Sequence, residues 1–145
     1  MKKPSSFDAN LIVIGAGAAG LVSAYIAAAV KAKVILIEKE KMGGDCLNTG
    51  CVPSKALIKA AKVAHLARNS GKYGVNINNV DIDFDRVMAR VHEAVGEVEP
   101  HDSVERYSKL GVECIAGAAN IISPHEVQVG DRVYSSRHII VASGA

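Results

Sequence analysis

Residues 9–38 read ANLIVIGAGAAGLVSAYIAAAVKAKVILIE, and this stretch decides the fold. Residues 9–14 (ANLIVI) are a short apolar run that stops abruptly at glycine, the pattern of a strand buried on both faces. Residues 15–20 (GAGAAG) then form a complete G-x-G-x-x-G, and the Ala- and Leu-rich chain from there to Lys31 predicts a helix. Residues 33–38 (KVILIE) predict a second buried strand ending in an acid. Strand, glycine turn, helix, strand and acid in that order is the setting in which such a loop takes a dinucleotide.

Each position has a physical reason. Gly15 permits the tight turn out of the strand, Gly17 lets a pyrophosphate approach the backbone, and Gly20 lets the helix lie close to the sheet. Ala18 and Ala19 stand at the helix start, where unpaired N–H groups and the positive end of the dipole face an anion. Glu38, closing the second strand, is placed to accept hydrogen bonds from the hydroxyls of an adenosine ribose. Gly15, Gly17, Ala18, Ala19, Gly20 and Glu38 are therefore candidate cofactor-binding residues. The motif does not by itself separate FAD from NAD.

The chain has 145 residues, 49% of them apolar and 22% charged, which is globular composition with enough material for a core. A formal charge of +2, with two Phe, four Tyr and no Trp, offers neither the basic field nor the stacking surface of a nucleic-acid binder. Three Cys is an odd count and argues against a secreted disulfide framework. Residues 11–30 carry no charge and follow Lys2 and Lys3, so a membrane span or signal peptide is a competing reading. Asp8, Asn10 and the spacing of Gly15, Gly17 and Gly20 oppose it, and a cytoplasmic location without a membrane span is expected.

Residues 42–55 read MGGDCLNTGCVPSK and place Cys46 and Cys51 five apart. In a regular helix that spacing rises about 7.5 Å along the axis. Bridged Cα atoms lie no more than about 6.8 Å apart. A redox pair here would require a distorted or tightened helix, to which the permissive Gly50 and donor-lacking Pro53 could both contribute. Buried small hydrophobes, a zinc half-site and an incidental pair remain competing readings. Asp45, Asn48 and Ser54 make the segment polar, and the five His are scattered, so no metal site is expected. Cys114 reads as a core residue.

Residues 43–55 match G-G-x-C-x-N-x-G-C-x-P-S-K, and with the preceding glycine loop they resemble the flavin-dependent pyridine nucleotide–disulfide oxidoreductases. This is the family of dihydrolipoamide dehydrogenase, glutathione reductase and mercuric reductase. Asp45 and Thr49 stand where Thr and Val are commoner, and the Ser54-Lys55 ending looks more like the lipoamide and mercuric branches. The resemblance implies FAD, a redox-active Cys46–Cys51 disulfide, and NAD(P)H as electron donor in the parent enzyme. By position it makes Cys51 the flavin-facing thiol, Cys46 the thiol that attacks substrate, and Lys55 a cation near the flavin ring. Gly44 and Asp45 join the implied flavin contacts. So do Ser143 and Gly144, because residues 138–145 (HIIVASGA) are similar to the family's second flavin motif. The substrate would be a small molecule or a disulfide, and the parent enzyme a homodimer. The family continues into nicotinamide and dimerisation domains, so residues 1–145 look like the N-terminal part of an FAD-binding domain. The competing function is a flavin-binding or assembly module without substrate chemistry.

The remaining chain completes an α/β, Rossmann-like pattern. Residues 56–68 predict a helix, 71–83 a loop rich in Gly, Asn and Asp, and 84–98 a helix carrying Val at helical spacing. Pro100 suits the first position of a short helix, with Asp102 and Glu105 spaced as a capping box and Gly111 as its stop. Residues 112–117 should join the parallel sheet. Short runs at 119–122, 126–129 and 132–134 suggest an antiparallel meander, and 138–142 a further buried strand.

Overall fold

The computed structural model describes residues 6–144 and divides the chain into two compact units. One comprises residues up to Gly44 and from Pro100 onward; the other is Asp45–Glu99.

In the first unit, β1 (Ala9–Ile14), β2 (Val34–Glu38) and β3 (Val112–Ala116) pair in parallel. They belong to a six-stranded sheet of order β3-β2-β1-β6-β5-β4, with β4 (Ala119–Ser123), β5 (Glu126–Val129) and β6 (Arg132–Val141). This is a Rossmann-like α/β fold with an antiparallel meander. Val34, Ile35, Leu36 and Ile37 each expose 1% of their surface or less, which explains why β2 reads as an unbroken apolar run. Alternation sends Val13, Val34 and Leu36 to one face, where they meet Leu21, Ala24 and Ala28 of helix α1 (Ala18–Ala29). Ile12, Ile35 and Ile37 face the other way and cluster with Val127 and Tyr134 from the meander. The uncharged run 11–30 is therefore a strand, a glycine turn and a twelve-residue helix rather than one span. No helix among the described residues is long and apolar enough to cross a membrane. Lys2 and Lys3 lie outside the described residues.

Helix α1 stops earlier than Lys31. Val30 caps it, Lys31 adopts a left-handed φ of 64°, and its N–H bonds Ala28 O while Ala32 N–H bonds Ala27 O. This is a Schellman closure with lysine where glycine usually sits.

Two expectations are corrected. The runs at 132–134 and 138–142 are one ten-residue strand. Its first part pairs antiparallel with β5, and from Ser136 onward it pairs in parallel with β1. The polar link between the runs stays extended because its groups are bonded. Asp8 Oδ2 accepts from both the N–H and the hydroxyl of Ser135 at 2.8 Å, and the buried Ser136 donates its hydroxyl to His138 O. Pro100 does not open a helix: Glu99–Asp102 is a 3-10 turn. The next helix forms at Val104–Lys109, where the Ser103 hydroxyl, not Asp102, accepts the Arg106 N–H. Gly111 follows at φ +88°, as its stop position predicts. Tyr107 of this helix donates its hydroxyl to Leu21 O and fastens it to α1.

The second unit holds α2 (Gly44–Asn48, its first residue belonging to the other unit), α3 (Cys51–Arg68) and α4 (Phe84–Val98), while Val104–Lys109, α5, belongs to the first unit. Helices α3 and α4 pack together, with Ala56, Ala60, Ala64 and Ala67 half-buried and Val91 buried. Asp83 caps α4 by accepting the Arg86 N–H.

Candidate functional site

The glycine loop is fixed where β1 ends. Gly15 donates its N–H to Ile37 O across to β2 and takes φ +99°. A side chain there would collide with the Ala142 carbonyl and lie 3.0 Å from Ser143 Cα. A side chain at Gly20 would collide with Gly15 O, so the loop and the first turn of α1 are in backbone contact. Gly44, at φ +56°, is pressed so closely on the loop that a Cβ would lie 2.8 Å from Gly17 Cα, and Gly43 N–H bonds Ala16 O. Gly15, Gly20 and Gly44 are thus required by the protein's own packing.

Gly17 differs. Its φ of −78° is ordinary, and a Cβ there would meet only Gly44 Cα at 3.9 Å. Nothing among the described residues demands glycine at this position, whereas a ligand lying on the backbone would. Gly17 is also the N-cap of α1 without any side-chain cap, and the first turn carries no acid, leaving the amides of Ala18 and Ala19 for an anion. This arrangement fits a dinucleotide pyrophosphate.

Glu38 projects from the end of β2 back to this loop. Its Oε2 accepts the Ala16 N–H at 2.6 Å and its Oε1 the Glu40 N–H at 2.9 Å. Ser143 follows β6 to the same place, its Cα lying beside the Gly15 position, and Gly144 is the next residue along the chain. Ala145, the end of the second flavin-like motif, lies outside the described residues. The structure therefore gathers Gly15, Gly17, Ala18, Ala19, Gly20, Glu38, Gly44 and Ser143 at the C-terminal ends of β1, β2 and β6, with Gly144 next in the chain. The sequence alone did not single out Ala16 or Ala142 as participants. The Gly43-Gly44 doublet is the signal that some backbone must pass close by.

In the other unit lie Asp45, Cys46, Cys51 and Lys55. The helix breaks at Thr49 and Gly50, separating α2 from α3. Both of their N–H groups end on the Asp45 carbonyl, and a Cβ at Gly50 would lie 2.9 Å from that oxygen and 3.5 Å from Cys46 Cα. Asp45 thus contributes its main chain to the turn, while its side chain is exposed. Pro53 has no part in the break: it occupies the first turn of α3, where its missing N–H would be unpaired anyway. Cys46 is half-buried and Cys51 is exposed at the first position of α3. The hydrogen bond to Cys51 holds the Cys46 thiol above its ordinary pKa, with burial and the Cys51 charge adding to this and the Lys55 charge opposing it. Cys114, remote in sequence, packs half-buried against the first core cluster, and burial pushes its thiol pKa up.

A Rossmann-like sheet carries the glycine loop, and the same chain carries Cys46 and Cys51 on either side of a helix break. The sequence model of the pyridine nucleotide-disulphide oxidoreductases matches residues 9–145, and the chain belongs to that family. Dihydrolipoyl dehydrogenase of Mycoplasma pneumoniae is 36% identical over 141 residues, which cover 94% of this chain and 30% of that protein. Mercuric reductase of Bacillus cereus is 32% identical over 97% of this chain and 22% of its own length. Glutathione reductase of a Nostoc strain is 31% identical over 96% of this chain and 30% of its own length. The chain thus spans under a third of these relatives.

Proposed function

We propose that this chain is the N-terminal part of the FAD-binding domain of a flavin-dependent disulfide oxidoreductase, in which electrons reach Cys46 and Cys51 and then a substrate. The observation that supports the reading is the break at Gly50, a turn closed on the Asp45 carbonyl between Cys46 and Cys51, where a Cβ would lie 3.5 Å from Cys46 Cα. The Gly17 position, open on the protein side, supports a dinucleotide in the same chain. FAD, when bound, would accept hydride from NAD(P)H and relay the electron pair. The amides of Gly17, Ala18 and Ala19 would hold its pyrophosphate and Glu38 its ribose hydroxyls.

The chain's own residues account for the sulfur chemistry. Two electrons and one proton convert the Cys46–Cys51 disulfide to a thiol and a thiolate. The raised pKa of Cys46 favours its keeping that proton. Once that proton is passed on, the Cys46 sulfur attacks a substrate disulfide and expels one substrate thiolate. Cys51 then displaces the second thiolate from the mixed disulfide and restores the Cys46–Cys51 bond. The whole protein would work as a cytoplasmic homodimer on a small-molecule or disulfide substrate.

Thiol titration of the unfolded chain before and after reduction tests the sulfur half. Two additional thiols are expected on reduction, and none in Cys46→Ser. A Cys46→Ser variant that still gains two would sink the redox pair and leave a binding module without substrate chemistry.

A further inference from the structure

We infer that Glu38 positions the glycine loop from inside the protein, its carboxylate binding the Ala16 N–H through Oε2 and the Glu40 N–H through Oε1, so that the loop's form exists before any ligand arrives. Only the idea that this form suits a pyrophosphate rests on the dinucleotide reading. The loop-holding itself stands on hydrogen bonds within the protein.

The loop has three backbone anchors on this side. Gly15 N–H goes to Ile37 O, Ala16 O accepts from Gly43 N–H, and Ala16 N–H goes to Glu38. The first two join main chain to main chain and survive any side-chain replacement. The third depends on the residue at position 38. Ala16 is fully buried, so without that partner its N–H would be desolvated and unpaired. A bond to an ionised acceptor is also stronger than one between neutral groups.

Loop-holding and ligand contact do not compete for the same lone pairs. A carboxylate offers about four acceptor sites, and two are used here, one on each oxygen. The two internal bonds fix the plane of the group and leave acceptor capacity on both oxygens for ribose hydroxyls. A residue touching only ribose would matter only when ligand is bound. A residue holding the loop matters in the free protein as well.

Amide hydrogen exchange on the ligand-free 145-residue chain separates the two. The Ala16 amide is followed, with the Ala24 amide, buried on α1, as the reporter of the intact fold. In Glu38→Ala, Ala16 is expected to exchange about tenfold faster or more, with Ala24 unchanged. Glu38→Gln keeps one neutral acceptor at the same reach and should speed Ala16 by a smaller factor, about threefold. If Glu38→Ala loses Ala24 protection through unfolding, the Gln variant decides. Ala16 exchange equal to wild type in a variant with Ala24 protected would overturn the inference. An ADP titration of the wild-type chain is read separately: absent binding would remove the dinucleotide reading while the exchange result still judges the loop-holding.

Discussion

At Gly50 a single hydrogen in place of a methyl group lets the chain turn on the Asp45 carbonyl between Cys46 and Cys51. A Cβ there would press on the Asp45 carbonyl that closes the turn, so Gly50→Ala should push Cys46 and Cys51 apart. Relief of such a contact costs about 1–3 kcal/mol, so the equilibrium for closing the disulfide should fall about tenfold, read in a dithiol redox titration. The position of the Cys46 proton is equally local. Because its pKa is raised, chiefly by the bond to Cys51, its thiolate appears only above the ordinary thiol range. Peptide-resolved alkylation of Cys46 should thus remain slow near neutral pH and climb late. In Cys51→Ala the main cause is gone, and the profile should move to lower pH. The types of these residues were legible in the sequence, but the agent of the break was not. Gly50 and Pro53 looked equally able to distort a helix until the position of Pro53 in a first turn became known.

The ends and edges of elements depended on partners far along the chain. Lys31 occupies a left-handed position that costs a non-glycine residue about 1–2 kcal/mol. Lys31→Gly should recover part of this, about 0.5–1 kcal/mol in chemical denaturation, offset by the freedom glycine adds to the unfolded chain. Strand β6 runs through Ser135 because Asp8, 127 positions earlier, takes both of its donors. Those bonds, the backbone one foremost, hold the Asp8 pKa below its unfolded value. The stabilisation is then complete above the ordinary carboxylate range and lost as pH falls through the lower, folded value. The gap in melting temperature between wild type and Asp8→Asn should accordingly narrow on acidification from about pH 5 to about pH 2. Asp8 is exposed, so the gap should be small and reduced by salt. An unchanging gap would remove the clasp from the account of this strand.

Across the whole molecule, the glycine-loop unit and the thiol unit are separate compact bodies, and the chain spans 22–30% of the relatives compared above. Turnover in the proposed reaction needs hydride donor, flavin, disulfide and acid–base groups held together, and such positioning is worth several kcal/mol of barrier. The 145-residue chain alone should show no appreciable NAD(P)H-dependent disulfide reduction, even with FAD added, and should hold FAD weakly. Sustained turnover in a coupled NADPH or NADH assay would contradict this. By itself the sequence determined what is local: β1, the glycine turn, α1 and β2, whose periodicities and glycine spacing need only near neighbours, and the motif that holds Cys46 and Cys51. Tertiary structure alone decided where main-chain groups from distant segments meet. The parallel pairing of β1 with β2 turns Glu38 onto Ala16, and the pairing of β6 with β1 sets Ser143 beside Gly15. The same long-range hydrogen bonds make one strand of two apparent runs. The physical reason is that a backbone donor or a buried polar side chain carries no mark, in its own stretch of sequence, of the distant acceptor that will satisfy it.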